Sequence, residues 1–287
     1  MVIIFNGPGQ VAFVRGNMSE LSNKNIKKIS LQKYGQKSDS IYEDCVAQEV
    51  PFELRLSHDN GSFETLAITL CSPADCEDLI YGYLFSEHII SQVNDILQIQ
   101  VFDNELGLIA QVQLHKRINF GKYLHKRQGM VHASCGLCGK TEIDDWLTYN
   151  YPKIHKNKVA IKANVIKNLV THLVKEQGAF RQTGGIHASA LFDAAGNLLF
   201  LREDIGRHNA LDKLVGACLK ENLLPLSNKI VLLSGRVSFE LVHKALLAGV
   251  SALCALGAPS SLSIEIAKLN GMCLYGFVKS DGFNRYC

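Results

Sequence analysis

The chain has 287 residues, 47% apolar and 20% charged, with 23 Gly and 6 Pro, which excludes a disordered, collagenous or disulfide-knotted polypeptide. Thirty Lys and Arg against 27 Asp and Glu leave a formal charge of +3, too near neutral for bulk nucleic-acid binding. Arg236, Glu240, His243 and Lys244 interrupt the greasiest region (230–256), so no membrane span is expected.

Met1–Arg15 carries its charge after the apolar part and lacks a small-residue cleavage site, so it is a poor signal peptide. Nine cysteines, an odd number scattered over the chain, fit a reducing compartment, and the expected location is cytoplasmic. Residues 1–45 are polar and patternless, and the reading is a weakly ordered arm with at most a strand near its start. From Glu49 the text changes. Phe52, Leu54 and Leu56 alternate, residues 58–61 (HDNG) are turn chemistry, and 63–70 alternates again, which predicts a β-hairpin. Ser72-Pro73 followed by 75–90 predicts a capped helix with Leu79, Tyr83, Phe85 and Ile89 near one face. A second hairpin is expected over 96–102 and 108–114.

Between Leu106 and Thr141 there is no acid, but there are six Lys or Arg and three His. That window closes on SCGLCGK (134–140), which lacks any period and predicts a mobile loop. An amphipathic helix follows around 165–174. Beyond it, strands 187–192, 198–202, 229–233, 251–256 and 272–278 alternate with helices 208–219, 239–247 and 261–269. Near-continuous apolar strands separated by helices predict a largely parallel sheet covered on both faces. The expected organisation is an arm (1–45), a hairpin-rich portion ending in the cysteine loop (46–141) and a main α/β core (142–287).

Cys135 and Cys138 are the sharpest chemical feature. Thiols at i and i+3, beside Lys140 and in an acid-free window, favour the nucleophilic thiolate. The spacing is compatible with a zinc half-site completed by His125 and His132, with a dithiol oxidoreductase, with a sulfur carrier, or with two inert surface cysteines. Thr183, Gly184, Gly185 and His187 can approach a ligand, or simply form a tight turn with a satisfied histidine. Arg202, Arg207 and Asn209 suit phosphate or guanine recognition, or an ion-paired cap with Asp204. Ser234-Gly235-Arg236 and 258–261 (APSS) repeat the arrangement at the next strand ends, where open α/β sheets bind ligands. Neither a P-loop nor a GxGxxG motif is present.

Six ordered stretches resemble the FdhD family of formate dehydrogenase accessory sulfurtransferases. They are 71–90, CGLCG (135–139), FRQTGGIHASAL (180–191), REDIGRHNALDKLVG (202–216), SGRVSFELV (234–242) and APSSL (258–262). The resemblance spans roughly 50–283 and implies a cytidine-deaminase-like three-layer α/β sandwich with a mixed, largely parallel sheet and a hairpin-rich N-terminal portion. It implies a homodimer that takes sulfur from a cysteine desulfurase as a persulfide on Cys135, with Cys138 auxiliary. The sulfur would pass to the molybdenum bis(molybdopterin guanine dinucleotide) cofactor, bound as substrate, for formate dehydrogenase. The family's cofactor-binding stretch matches Phe277, Val278, Lys279, Ser280, Asp281 and Gly282, and a guanine nucleotide is expected to occupy the same site. Gly282 stands where the family usually has a basic residue, which Arg285 or Lys279 would have to replace. No metal is expected, because 187–189 (HAS) lacks the Glu of the deaminase HxE. Neither nucleic acid nor membrane is an expected partner. The runner-up reading is a non-catalytic chaperone that binds and escorts the cofactor; a thiol oxidoreductase is the third.

Overall fold

The computed structural model describes residues 24–34, 40–58, 61–124, 151–152 and 161–287. Strands β1 (Ile26–Lys33) and β2 (Ser40–Ala47) pair antiparallel as a two-stranded ribbon. The sequence reading placed most of this stretch in a weakly ordered arm. It missed the ribbon because the strands bury almost nothing: Ile41 and Tyr42 are exposed, so no period-2 burial marks them.

Strands β3 (Val50–His58), β4 (Glu64–Cys71), β5 (Ile96–Asn104) and β6 (Gly107–Leu114) form a four-stranded sheet in the order β4-β3-β6-β5. The two expected hairpins are both present, joined by a parallel pairing of β3 with β6. Phe52, Leu54 and Leu56 alternate inward from β3, and Ala110, Val112 and Leu114 from β6. They meet helix α1 (Cys76–Ser86), which presents Leu79, Ile80 and Leu84 to this core.

Helix α1 departs from expectation at both ends. Ser72 and Pro73 neither cap nor start it; its N-cap is Asp75, in the left-handed region at φ 55°, without a side-chain capping bond. Ser72 is occupied elsewhere: its amide donates to Asp204 Oδ2 at 3.0 Å, and its hydroxyl accepts from the Ile205 amide at 3.0 Å. The helix ends at Ser86, four residues earlier than expected, where the Glu87 and His88 amides close onto the Tyr83 and Phe85 carbonyls.

After the short helix α2 (Gly121–Leu124) come α3 (Ala163–Glu176) and α4 (Gly178–Thr183). The main core follows as β7 (His187–Phe192), β8 (Leu198–Asp204), α5 (Arg207–Lys220), β9 (Ile230–Leu233), α6 (Phe239–Leu247), β10 (Ala252–Ala255), α7 (Ser261–Leu269), β11 (Cys273–Gly276) and β12 (Asn284–Arg285). The sheet order is β12-β11-β10-β9-β7-β8. β9, β10 and β11 run parallel, β7 is antiparallel to β9 and β8 to β7, and β12 returns against β11. The sheet is therefore mixed, as expected, with a parallel centre from β9 to β11 and antiparallel pairings on either side of it.

Alternate residues of each strand feed two cores. Val231, Leu233, Leu253, Ala255 and Leu274 face α5, α6 and α7; Ile230, Leu232, Ala252, Cys254 and Tyr275 face Ile166, Leu169 and Leu173 of α3. The result is a three-layer α/β sandwich. Helix α1 docks on α5 with backbones in contact: a Cβ on Gly82 would run into the Asp212 carbonyl, and one on Gly216 into the Asp78 carbonyl.

Candidate functional site

Strands β8 to β11, running in one direction, end on the same edge of the sheet, and β7 begins there. Each of the turns leaving β8, β9 and β10 feeds a helix on the same face, so three helix N-termini gather at this edge. A cavity of about 330 Å³ opens among the turns, lined by His187, Arg207, Ser234, Gly235, Arg236, Leu256 and Gly257. That volume lies within the range of small-ligand pockets.

The turns are stitched to one another through the backbone. The Gly257 amide donates to the Gly235 carbonyl at 3.2 Å, and the Phe277 amide to the Gly257 carbonyl at 3.2 Å. Gly257 has to be glycine at such an approach, since a Cβ there would lie 2.8 Å from the Arg236 amide nitrogen and the Gly235 carbonyl. Ser234 Oγ accepts from the Ala188 amide at 2.8 Å and lies 3.3 Å from His187 Nδ1. Burial, reinforced by the Arg207 charge, holds His187 below the usual imidazole range. Arg207 opens α5, and its Nε is buried without a hydrogen-bond partner among the described residues. A buried, unpaired guanidinium donor at a helix N-terminus is what an anionic ligand satisfies. Arg236 is exposed at the rim.

The turn under Arg207 is built from a distance. Asp204 takes the Gly206 amide at 2.8 Å on Oδ1, and the Ser72 amide and Lys213 Nζ (2.7 Å) on Oδ2. Asn209 donates to Asp204 Oδ1 and to the Leu70 carbonyl.

This corrects three sequence assignments. Asn209 is buried and spent on the turn. Arg202 is ion-paired with Asp78 at 2.6 Å, away from the cavity. Asp204 balances Lys213, and neither arginine. Of the residues read as ligand-facing, the structure brings together His187, Arg207, Ser234, Gly235 and Arg236, whereas Thr183 turns back to bond the Ala179 carbonyl at 2.9 Å. Leu256 and Gly257 were not singled out; their signal was the end of an apolar strand followed by glycine. Lys213 was missed as well, because a lysine inside a helix reads as surface.

The stretch 277–282 leaves β11 at this same edge. Phe277 takes a left-handed φ of 51° with its ring partly exposed, Val278 is buried, and the Val278 amide bonds the Ala255 carbonyl at 3.0 Å. The Lys279 amide closes a turn on the Gly282 carbonyl at 2.8 Å, leaving the Lys279, Ser280 and Asp281 side chains exposed. Gly282 has open space around it. Arg285 points back to the Cys287 carbonyl at 3.1 Å. Cys135 and Cys138, with His125, His132 and Lys140, lie outside the described residues. Among the described residues, no helix is long and apolar enough to cross a membrane.

Residues 47–287 match the model of the FdhD/NarQ family. A sulfur carrier protein FdhD from Sulfurisphaera tokodaii is 35% identical over 261 residues, covering 91% of this chain and 96% of the relative. Another from Saccharolobus solfataricus is 38% identical over 243 residues, covering 85% and 89%. A crystal structure of a formate dehydrogenase accessory protein from Desulfotalea psychrophila superposes with a TM-score of 0.65 at 20% identity, covering 91% of this chain and 96% of that one.

Proposed function

This chain belongs to the FdhD/NarQ family, and we propose from that premise that it is a cytoplasmic, homodimeric sulfur carrier acting for formate dehydrogenase. Its relatives are named sulfur carrier proteins and the matching crystal structure a formate dehydrogenase accessory protein, and the cleft at the sheet edge has the chemistry of a nucleotide site. In this reading Cys135 thiolate attacks the outer sulfur of a cysteine desulfurase persulfide. The donor S–S bond breaks, the donor thiolate leaves, and Cys135 holds the sulfur as its own persulfide. Cys138 thiolate then attacks the inner sulfur, which releases hydrosulfide and leaves a Cys135–Cys138 disulfide, so the two electrons that turn sulfane sulfur into sulfide come from the pair. The recipient is the molybdenum bis(molybdopterin guanine dinucleotide) cofactor, held as substrate at the sheet edge. Arg207 and Arg236 would meet its phosphates, and Phe277 to Gly282 would flank it.

The observation that carries this reading is the buried Arg207 Nε at the wall of the cavity, unpaired among the described residues. Two measurements test it. After incubation with a cysteine desulfurase and cysteine, intact mass should show a gain of one sulfur atom, lost in Cys135→Ala. Guanosine diphosphate, titrated calorimetrically as a stand-in for the cofactor's nucleotide end, should bind the wild type, and Arg207→Ala should weaken it by about tenfold or more, the loss of one charge-assisted hydrogen bond. Retention of the sulfur gain by Cys135→Ala overturns the carrier. Nucleotide binding without any sulfur gain leaves an escort chaperone, and unchanged affinity in Arg207→Ala removes the cleft from the reading.

A further inference from the structure

A second pair of thiols lies far along the chain from Cys135 and Cys138. Cys71 ends β4, Cys76 opens α1, and their sulfur atoms are within hydrogen-bonding reach of each other. Cys71 has no exposed surface, whereas Cys76 is half-buried and lines a cavity of about 480 Å³. Cys76 Sγ also lies 3.1 Å from the Pro73 carbonyl oxygen. The pair has an asymmetry that suits thiol exchange. The Cys71 thiol hydrogen bond holds Cys76 below the usual thiol range; Lys213 adds to this, against burial and the charges of Asp204 and Asp75. The same bond and burial push Cys71 up. Cys76, at the first position of an 11-residue helix, also faces the positive end of that helix. Cys76 is thus the accessible nucleophile and Cys71 the buried second thiol.

We propose that Cys76 and Cys71 form a second dithiol, which small disulfides entering through this cavity oxidise to a Cys71–Cys76 disulfide. The lining sets size rather than charge: Ile99, Val101 and Leu108 are apolar, Glu77 is paired with Lys220 at 3.1 Å and Asp75 with Arg202 at 3.9 Å, and Asp103 stands against Lys24. With cystamine as oxidant, Cys76 thiolate attacks one sulfur, the S–S bond breaks and one cysteamine leaves as thiolate. The Cys71 sulfur then attacks Cys76, and the Cys71 proton goes to the second departing cysteamine. The two protein thiols lose two electrons, and one cystamine becomes two cysteamines.

Tryptic chemistry isolates the pair. No Lys or Arg occurs between Arg55 and Lys116, so one peptide (56–116) carries Cys71 and Cys76 and no other cysteine, and Cys135 and Cys138 fall elsewhere. The full-length protein is treated with cystamine, then denatured, alkylated and digested. Peptide 56–116 is expected to be unalkylated and lighter by two hydrogen atoms, and in Cys71→Ala it is expected to keep one cysteamine on Cys76. Recovery of the wild-type peptide with both cysteines alkylated overturns the proposal, as does an unmodified Cys76 in Cys71→Ala.

Discussion

Lys213 keeps its ammonium group wholly out of solvent, yet it bonds Asp204 Oδ2 at 2.7 Å, the Ser72 carbonyl at 2.9 Å and the Glu203 carbonyl at 3.4 Å. Burial alone would lower its pKa; Asp204, with the neighbouring thiols, more than offsets this and holds it above the ordinary lysine value. Lys213→Met is expected to cost about 3–5 kcal/mol in urea unfolding, because it strands a buried carboxylate. Replacing Asp204 by Asn in the same chain should recover part of that loss. The Asp204 turn carries Arg207, so the single variant should also bind guanosine diphosphate less tightly. Asp95 is the acid-sensitive counterpart. Burial would raise its pKa, but Arg117 and the Ser91 and Gln92 amides outweigh this and bring it to about 2, from an unfolded value of about 3.9. A depressed carboxylate stabilises above its unfolded pKa, and that contribution fades as pH falls through the folded one. Asp95→Asn should therefore cost about 1–2 kcal/mol at pH 7, the exposed side of Arg117 being screened by solvent, and the gap to wild type should close between about pH 4 and pH 2.

The elements that the sequence specified by itself are those whose signals are local. Helices Phe239–Leu247 and Ser261–Leu269 and strand His187–Phe192 have the bounds expected of them, because a serine precedes each helix and a glycine pair and an Asp- and Gly-containing turn bracket the mostly apolar strand. Helix α1 was misread at its start since the partners of Ser72, Asp204 and Ile205, lie more than a hundred residues away in sequence. Its apolar face, expected at Leu79, Tyr83, Phe85 and Ile89, was also misplaced in part: Tyr83 and Phe85 are only half-buried and Ile89 lies beyond the helix, whereas Asp78, Ile80, Tyr81, Gly82, Leu84 and Ser86 are buried with Leu79, because the helix is wedged between the four-stranded sheet and α5. That wedge rests on Gly82 and Gly216. A methyl group at Gly216 meets the Asp78 carbonyl, backbone against backbone, where no rotamer change can relieve it. Gly216→Ala is expected to cost about 3 kcal/mol, read as a lower urea midpoint at unchanged m-value, well beyond any gain in helix propensity. A stability equal to wild type would mean that the two helices pack further apart than described.

At the scale of the whole molecule, the three-layer class was legible because strands 230–233, 252–255 and 273–276 are buried on both faces, and only a covered parallel sheet tolerates that. The cleft was partly legible for the same reason: strand ends followed by glycine or serine are local text, and they gave His187, Arg207, Ser234, Gly235 and Arg236. Which cations stay free for a ligand was not legible. Arg202 and Arg207 look alike in sequence, and the difference is Asp78, a residue of the other half of the chain. The parallel pairing of β3 with β6 was hidden likewise, since period-2 patterns do not name their partner. These long-range ties make a prediction about cooperativity. Twelve consecutive residues of α5, His208 to Leu219, are buried, some by the main sheet and some by α1, so neither half can release α5 without exposing the other's core. In native-state hydrogen exchange, the slowest amides of β3 and of β9 should therefore open with the same free energy. Gly82→Ala, a change in the hairpin-rich half, should lower both by the same amount. If β3 exchanges through a cheaper opening while β9 keeps its protection, the two halves unfold separately and the α1–α5 contact is an interface between domains.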